Sequence, residues 1–197
     1  AMAAAANFAW ANRQVIMSLA KDSFLRTLNI STKDLNFEMV YDVCHNIAKI
    51  EQHNINGNNK KVCLHRKGAT RAFAPGHAAL GDLYRPVGQP ILIPGDMGRY
   101  SFVLVGTEKA YEETWGSTCH GAGRTMSRKE AKRQARSRNV PHEMEERGIL
   151  LRAAGRATVD EEMPEAYKDV DDVVRVVEGA GLCRRVVKLA PLAVVKG

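Results

Sequence analysis

Residues 116–124 read Gly-Ser-Thr-Cys-His-Gly-Ala-Gly-Arg and set one imidazole, His120, among small side chains. An imidazole can act as a nucleophile or as a general acid or base. Gly121 and Gly123 let the backbone approach a ligand closely and turn its N–H groups toward an anion. Arg124, Arg128, Lys129, Lys132, Arg133, Arg136 and Arg138 follow, with Glu130 the only acidic interruption. This spacing fits a histidine beside a phosphate cradle. It fits as well a loose turn ahead of a solvated basic helix, and local physics does not choose between them.

Three Cys/His neighbours raise metal chemistry: Cys44-His45, Cys63-Leu64-His65 and Cys119-His120. Paired ligands at zinc-finger spacing are absent. Adjacent side chains of a strand point to opposite faces, so Cys44 and His45 would hardly share a site. Gly121-Ala122-Gly123 is not a dinucleotide fingerprint, because no third glycine falls in place and no clear strand leads into it. A Walker A loop is also missing.

The elements that must position these residues show in the pattern. Residues 3–28 hold no Pro or Gly, and Phe8, Ala11, Val15 and Leu19 repeat at helical spacing, which predicts a long helix. The alternation Phe37, Met39, Tyr41, Val43 predicts a strand within residues 35–50. Gly57-Asn58-Asn59 predicts a turn and residues 62–65 a returning strand. Between Pro75 and Gly95, prolines and glycines punctuate the chain, and residues 91–93 and 100–105 read as strands held between tight turns. Ser127-Arg128-Lys129-Glu130 has capping-box spacing and marks a helix start. A last helix is expected over residues 169–178, stopped by Gly179 and Gly181, and a terminal strand over 186–195. The fold class is therefore α+β, with mixed or antiparallel sheets and flanking helices rather than a βαβ alternation.

The chain has 197 residues, 45% of them apolar, which suffices for one domain's core without a metal or disulfide. No apolar run is long enough to cross a membrane, and the Ala-rich start lacks the basic front of a signal peptide. Four scattered cysteines and no secretory signal point to reduced thiols in a cytoplasm. The net charge of +7 calls for an anionic partner: nucleic acid, nucleotide or membrane surface.

Seven segments together resemble the C-terminal part of the RtcB family of GTP-dependent tRNA-splicing RNA ligases. They are residues 3–14 (AAAANFAWANRQ), 41–50 (YDVCHNIAKI), 65–73 (HRKGATRAF), 88–95 (GQPILIPG), 112–124 (EETWGSTCHGAGR), 164–170 (PEAYKDV) and 194–197 (VVKG). The similarity runs over nearly the whole chain, and the expectation is one C-terminal part, residues 1–197, of a single catalytic domain whose N-terminal part precedes Ala1.

The resemblance implies a mechanism. His120 would attack the α-phosphate of GTP to form a guanylyl-histidine. The guanylyl group would pass to an RNA 3′-phosphate (or one derived from a 2′,3′-cyclic phosphate), and a 5′-hydroxyl end would then displace GMP. By motif position, His45 resembles a manganese ligand, and His45 and Asn46 adjoin the nucleotide. Pro94, Gly95, Asp96 and Met97, with Ser101 beyond, resemble a wall of the GTP pocket. Gly121, Ala122 and Gly123 resemble the segment wrapping the nucleotide, and Tyr167 and Lys196 guanine-side contacts. Lys67, Arg124 and Arg128 resemble RNA-phosphate contacts. The implied cofactors are Mn2+ and GTP. The implied partners are tRNA halves or broken RNA, the missing N-terminal part and, in some relatives, an archease-type activator, with no membrane. Asp96 stands where most relatives carry Ser, and Ala74 replaces a frequent Pro. The family's other metal ligands lie in earlier motifs, so this chain alone is expected to bind metal weakly and not to ligate RNA. A non-catalytic basic RNA-binding module is the alternative from another class, and a metal-dependent phosphoryl-transfer or hydrolase domain a third.

Overall fold

The computed structural model describes residues 1–190 and residue 194. Among these, residues 1–67 fall in one compact unit and 68–190 in another. The architecture is α+β, with antiparallel sheets flanked by helices.

The first unit opens with α1, Met2–Leu28, which ends where Asn29 turns left-handed (φ 52°) and donates its N–H to the Leu25 carbonyl. No residue of α1 is fully buried. A short α2, Thr32–Leu35, is capped by the Ser31 hydroxyl, which accepts from the Asp34 N–H. Residues 36–45 form no strand, contrary to the alternation of Phe37, Met39, Tyr41 and Val43. The strands are β1, Asn46–Ile55, and β2, Asn58–Lys67, antiparallel from Asn46↔Lys67 to Ile55↔Asn58. Asn56 (φ 52°) and Gly57 (φ 81°) make a two-residue turn with both φ positive, which matches the twist of a hairpin. That turn lies one residue earlier than the sequence suggested. The turn fixes the register so that β2 pairs with residues 46–55, and residues 37–43 stay outside the sheet. The Arg13 guanidinium instead holds this segment through Asp42 at 2.6 Å.

Within the hairpin, buried Arg66 meets Glu51 with two bonds of 2.7 and 2.9 Å, and His53 Nε2 lies 3.1 Å from the same carboxylate. Burial alone would raise the Glu51 pKa, but the Arg66 and His53 bonds prevail and hold it below its ordinary value.

The second unit contains β3, Ala69–Arg71, paired with β6, Ser117–Cys119, and a three-stranded sheet built from β4, Pro90–Pro94, β5, Ser101–Gly106, and β7, Cys183–Leu189, in the order β4-β5-β7. Ile91, Ile93, Phe102 and Leu104 form its inner layer, packed against Ala122 and against Val170 and Val174 of α7, Val170–Gly179. A second core joins Ala131 and Ala135 of α4, Arg128–Ala135, with Val140 and Met144 of α5, Val140–Glu146, Val159 of α6, Arg156–Glu161, and Met163. Half of the capping box forms: the Glu130 N–H donates to the Ser127 hydroxyl at 3.1 Å, while the Glu130 carboxylate turns to Arg133 and Gln134 rather than back to the Ser127 N–H. α7 starts at its Asp169 cap, as expected, and runs on through Gly179. The helix α3, Glu108–Thr114, together with α5 and α6, was not foreseen; six or seven residues are too few to show a period. The terminal strand begins at Cys183, earlier than expected, and residues 191–193 and 195 lie outside the described residues. Among the described residues, no helix is long and apolar enough to cross a membrane.

Candidate active site

His120 follows directly on β6, whose last residue, Cys119, pairs with Ala69 of β3. That register sets Gly68 against the imidazole. A Cβ at Gly68 would lie 3.7 Å from both Cδ2 and Nε2 of His120, and its φ of 66° is one that other residues rarely adopt. Bare backbone therefore faces the ring, which is half-buried rather than sealed in the core. The neighbouring thiols are not competitors for nucleophilic work. Burial raises the pKa of Cys119 and pushes Cys183 up to about 11, so both stay protonated at neutral pH.

The loop after His120 is stitched on two sides. The Ala122 N–H donates to the Pro94 carbonyl at 3.1 Å, while the Ala122 methyl is buried in the core of the sheet. The Gly123 carbonyl accepts from the Lys168 N–H at 3.0 Å, the Thr125 N–H donates to Ala166 at 2.8 Å, and Arg124 forms an antiparallel bridge with Tyr167. The loop thus runs between the end of β4 and residues 164–168.

Pro94 pairs with Ser101 across the sheet. The turn between them admits only glycine at position 95, where a Cβ would fall 2.2 Å from the Tyr100 carbonyl oxygen. Asp96 is buried beneath this turn. Its Oδ1 accepts from the Gly98 N–H at 2.9 Å and its Oδ2 lies 2.8 Å from Arg99 Nε. Burial pushes the Asp96 carboxyl above the ordinary range; the Gly98 N–H and Arg99 oppose this, and the nearby Asp169 and Glu165 carboxylates add to it. Arg99 also reaches Asp169 at 3.3 Å and the Pro164 carbonyl at 3.0 Å, so one guanidinium joins the turn to the segment carrying Tyr167. Met97 packs with Tyr167 and Met126 against the second core.

The Tyr167 hydroxyl donates to the Glu162 carboxylate and accepts from Arg124 Nη1 at 3.0 Å. Burial, then Glu162, raise its pKa. Arg124 stacks over the Tyr167 ring at 4.8 Å and donates to the Met126 and Glu161 carbonyls at 3.1 and 2.6 Å. Its guanidinium is thus turned inward. Arg128 is largely exposed, with Nε 3.4 Å from Glu161.

The second unit therefore gathers Pro94, Gly95, Asp96, Met97, Ser101, Gly121, Ala122, Gly123 and Tyr167 beside the His120 loop. His45, Asn46 and Lys67 belong to the first unit, and Lys196 lies outside the described residues. There, Asn46 pairs with Lys67 across the hairpin. Burial, then the charges of Lys67 and Arg13, lower the His45 pKa and favour the neutral ring that binds metals. Among the described residues no three His, Cys, Asp or Glu side chains gather to hold a metal ion, so these residues alone do not fit a manganese centre.

Sequence reasoning missed Gly68, Arg99 and Glu162. Gly68 could have been singled out within HRKGATRAF, and the Asp96–Arg99 spacing allows a local ion pair. Nothing in the sequence marks Glu162 as the partner of Tyr167.

The family profile described as tRNA-splicing ligase RtcB matches residues 1–197. Proteins named tRNA-splicing ligase RtcB are similar over the full chain: 55% identity in Archaeoglobus fulgidus, 55% in Pyrococcus abyssi and 53% in Thermococcus kodakarensis. The chain spans 41% of the length of the Archaeoglobus and Thermococcus relatives and 22% of the Pyrococcus abyssi one.

Proposed function

Because the chain belongs to the tRNA-splicing ligase RtcB family, we propose that it forms the guanylyl-accepting part of an RNA ligase, with His120 as the nucleophile. An imidazole nitrogen of His120 attacks the α-phosphorus of GTP, the bond to the β-phosphate breaks and pyrophosphate leaves. An RNA 3′-phosphate, free or opened from a 2′,3′-cyclic phosphate, takes the guanylyl group as the N–P bond breaks. The 5′-hydroxyl of a second RNA end then attacks the activated phosphate and releases GMP. Imidazole suits this relay because it is both a good nucleophile and a competent leaving group.

The observation that carries the reading is the double stitching of the His120 loop to Pro94 and to Lys168. It supports a pocket within the second unit in which Gly121, Ala122 and Gly123 line the phosphates, Pro94, Gly95, Asp96, Met97 and Ser101 form a wall, and Tyr167 contacts the nucleotide. Gly68 leaves room beside the imidazole. Lys67 and Arg128 are assigned to RNA phosphates, and Arg124, expected there too, is assigned instead to holding Tyr167 in place. Manganese belongs to the proposal with His45 as one donor and the others supplied by the rest of the ligase; when bound it neutralises phosphate charge. The setting proposed is cytoplasmic repair of broken RNA or joining of tRNA halves, with an archease-type activator in reserve.

The test is labelling with radioactive GTP and manganese, with and without the upstream part of a relative supplied in trans. Covalent label that requires His120, lost in His120→Ala, supports the reading; absence of label in both settings overturns it. The rival is a non-catalytic RNA-binding module, which the net charge of +7 fits equally well. RNA binding without labelling would be its signature.

A further inference from the structure

We propose that the outward face of the β1–β2 hairpin is a track for the RNA backbone, running from Lys67 through His65 to Lys61. This rests on the ligase reading and extends it to residues with no place in the nucleotide pocket.

The pleat sorts the hairpin into two chemically different faces. Directly paired residues share a face, so Lys67 lies beside Asn46, His65 beside Ala48, Cys63 beside Ile50 and Lys61 beside Gln52. All of these except Ala48 are exposed. Neither strand places an acidic side chain on this face. The hairpin's one carboxylate, Glu51, is on the opposite face, where Arg66 and His53 engage it. The outward positive charge is therefore not neutralised from within the hairpin, and among the described residues Lys61 and Lys67 make no ion pair.

Cations and amides stand at both ends of this face, around Ala48, Ile50 and Cys63, with no anion among them, which fits a polyanion. Lys, Asn and Gln are the usual partners of phosphate and sugar oxygens, which position a nucleic acid without reading its sequence. At the rise of a strand, Lys61 and Lys67 stand roughly 20 Å apart along β2, enough to follow several nucleotides. Asn54 and Asn59, paired next to the turn, extend the polar face to the tip.

The pleat also supplies the control. Lys60 adjoins Lys61 in sequence and is exposed, but its side chain belongs to the opposite face, paired with His53. Binding of a single-stranded RNA oligonucleotide with a 3′-phosphate is measured by fluorescence anisotropy across a potassium chloride titration. The comparison covers the parent chain, Lys61→Glu, Lys61→Arg and Lys60→Glu. Lys61→Glu should weaken binding about fivefold to tenfold and lower the salt slope by about one, Lys61→Arg should bind as the parent, and Lys60→Glu should change affinity less than about twofold. No RNA binding by the parent, no loss in Lys61→Glu, or equal losses in Lys61→Glu and Lys60→Glu would overturn the track. Guanylylation needs no RNA, so Lys61→Glu supplied with the upstream part of a relative should label His120 as the parent does. Labelling intact with Lys61-indifferent binding strikes only the track; Lys61-dependent binding with no labelling in any variant strikes only the ligase reading.

Discussion

Two residues beyond His120, the Ala122 N–H donates to the Pro94 carbonyl at 3.1 Å. Pro94 is itself paired with Ser101, so this bond ties the loop of the proposed nucleophile to the sheet rather than to another loop. A site built this way is only as well placed as the turn that follows Pro94.

That turn makes the first prediction. In Gly95→Ala the new methyl would lie 2.2 Å from the Tyr100 carbonyl oxygen and 3.1 Å from the Val170 side chain. Backbone must shift to relieve it, at a cost of about 1–3 kcal/mol. Thermal unfolding should show a lower Tm, and a variant as stable as the parent would show that the turn yields freely.

Arg124 is the second. Its guanidinium is committed to Tyr167, Glu162 and the Met126 and Glu161 carbonyls. Arg124→Ala should therefore cost about 1–3 kcal/mol in urea unfolding, because partly buried acceptors lose their donors. Its effect on the salt slope of RNA binding should be smaller than that of Lys67→Ala. Equal slope changes in the two variants would show that Arg124 leaves its internal partners for RNA.

Asp96 yields a pH signature. Its folded pKa is raised, so the fold favours the protonated form, and that contribution is lost as pH rises through the folded value. Asp96→Asn, which carries no charge to bury, should melt higher than the parent at neutral pH. The gap should close as pH falls through the raised carboxyl range, while Arg99 keeps Asp169. A gap that is constant with pH would contradict the assignment.

Glu51 has the opposite sign. Its folded pKa is lowered, so its contribution is present above the unfolded value and disappears as pH falls through the folded one. Glu51→Ala would leave the Arg66 guanidinium buried without its carboxylate, at a cost of about 3–5 kcal/mol. Circular dichroism melts should show the loss at neutral pH and a smaller difference from the parent in acid.

The sequence disclosed elements wherever the deciding physics is local. The Ser127–Glu130 cap formed because its partners are three residues apart, and the Asn-Gly turn lies within a residue of its expected place. The strand expected through Phe37 to Val43 did not form, and the contact that holds this segment, Asp42 to Arg13, is distant in sequence. The His120 segment stood out through its glycines. Arg99 and Glu162 did not, because their roles rest on contacts with Pro164 and Arg124, distant in sequence.

The prolines that bracket β4 have a consequence for assembly. In an antiparallel ladder alternate residues turn their N–H and C=O groups to the same side, and the Pro94 carbonyl points away from β5, to Ala122. Pro90 and Pro94 share that side, so β4 offers an incoming chain just one amide hydrogen, that of Leu92. Such a rim is a poor template for adding another strand. Within this sheet, strand addition is left to the other edge, β7, so the flank beside the proposed nucleophile is the guarded one.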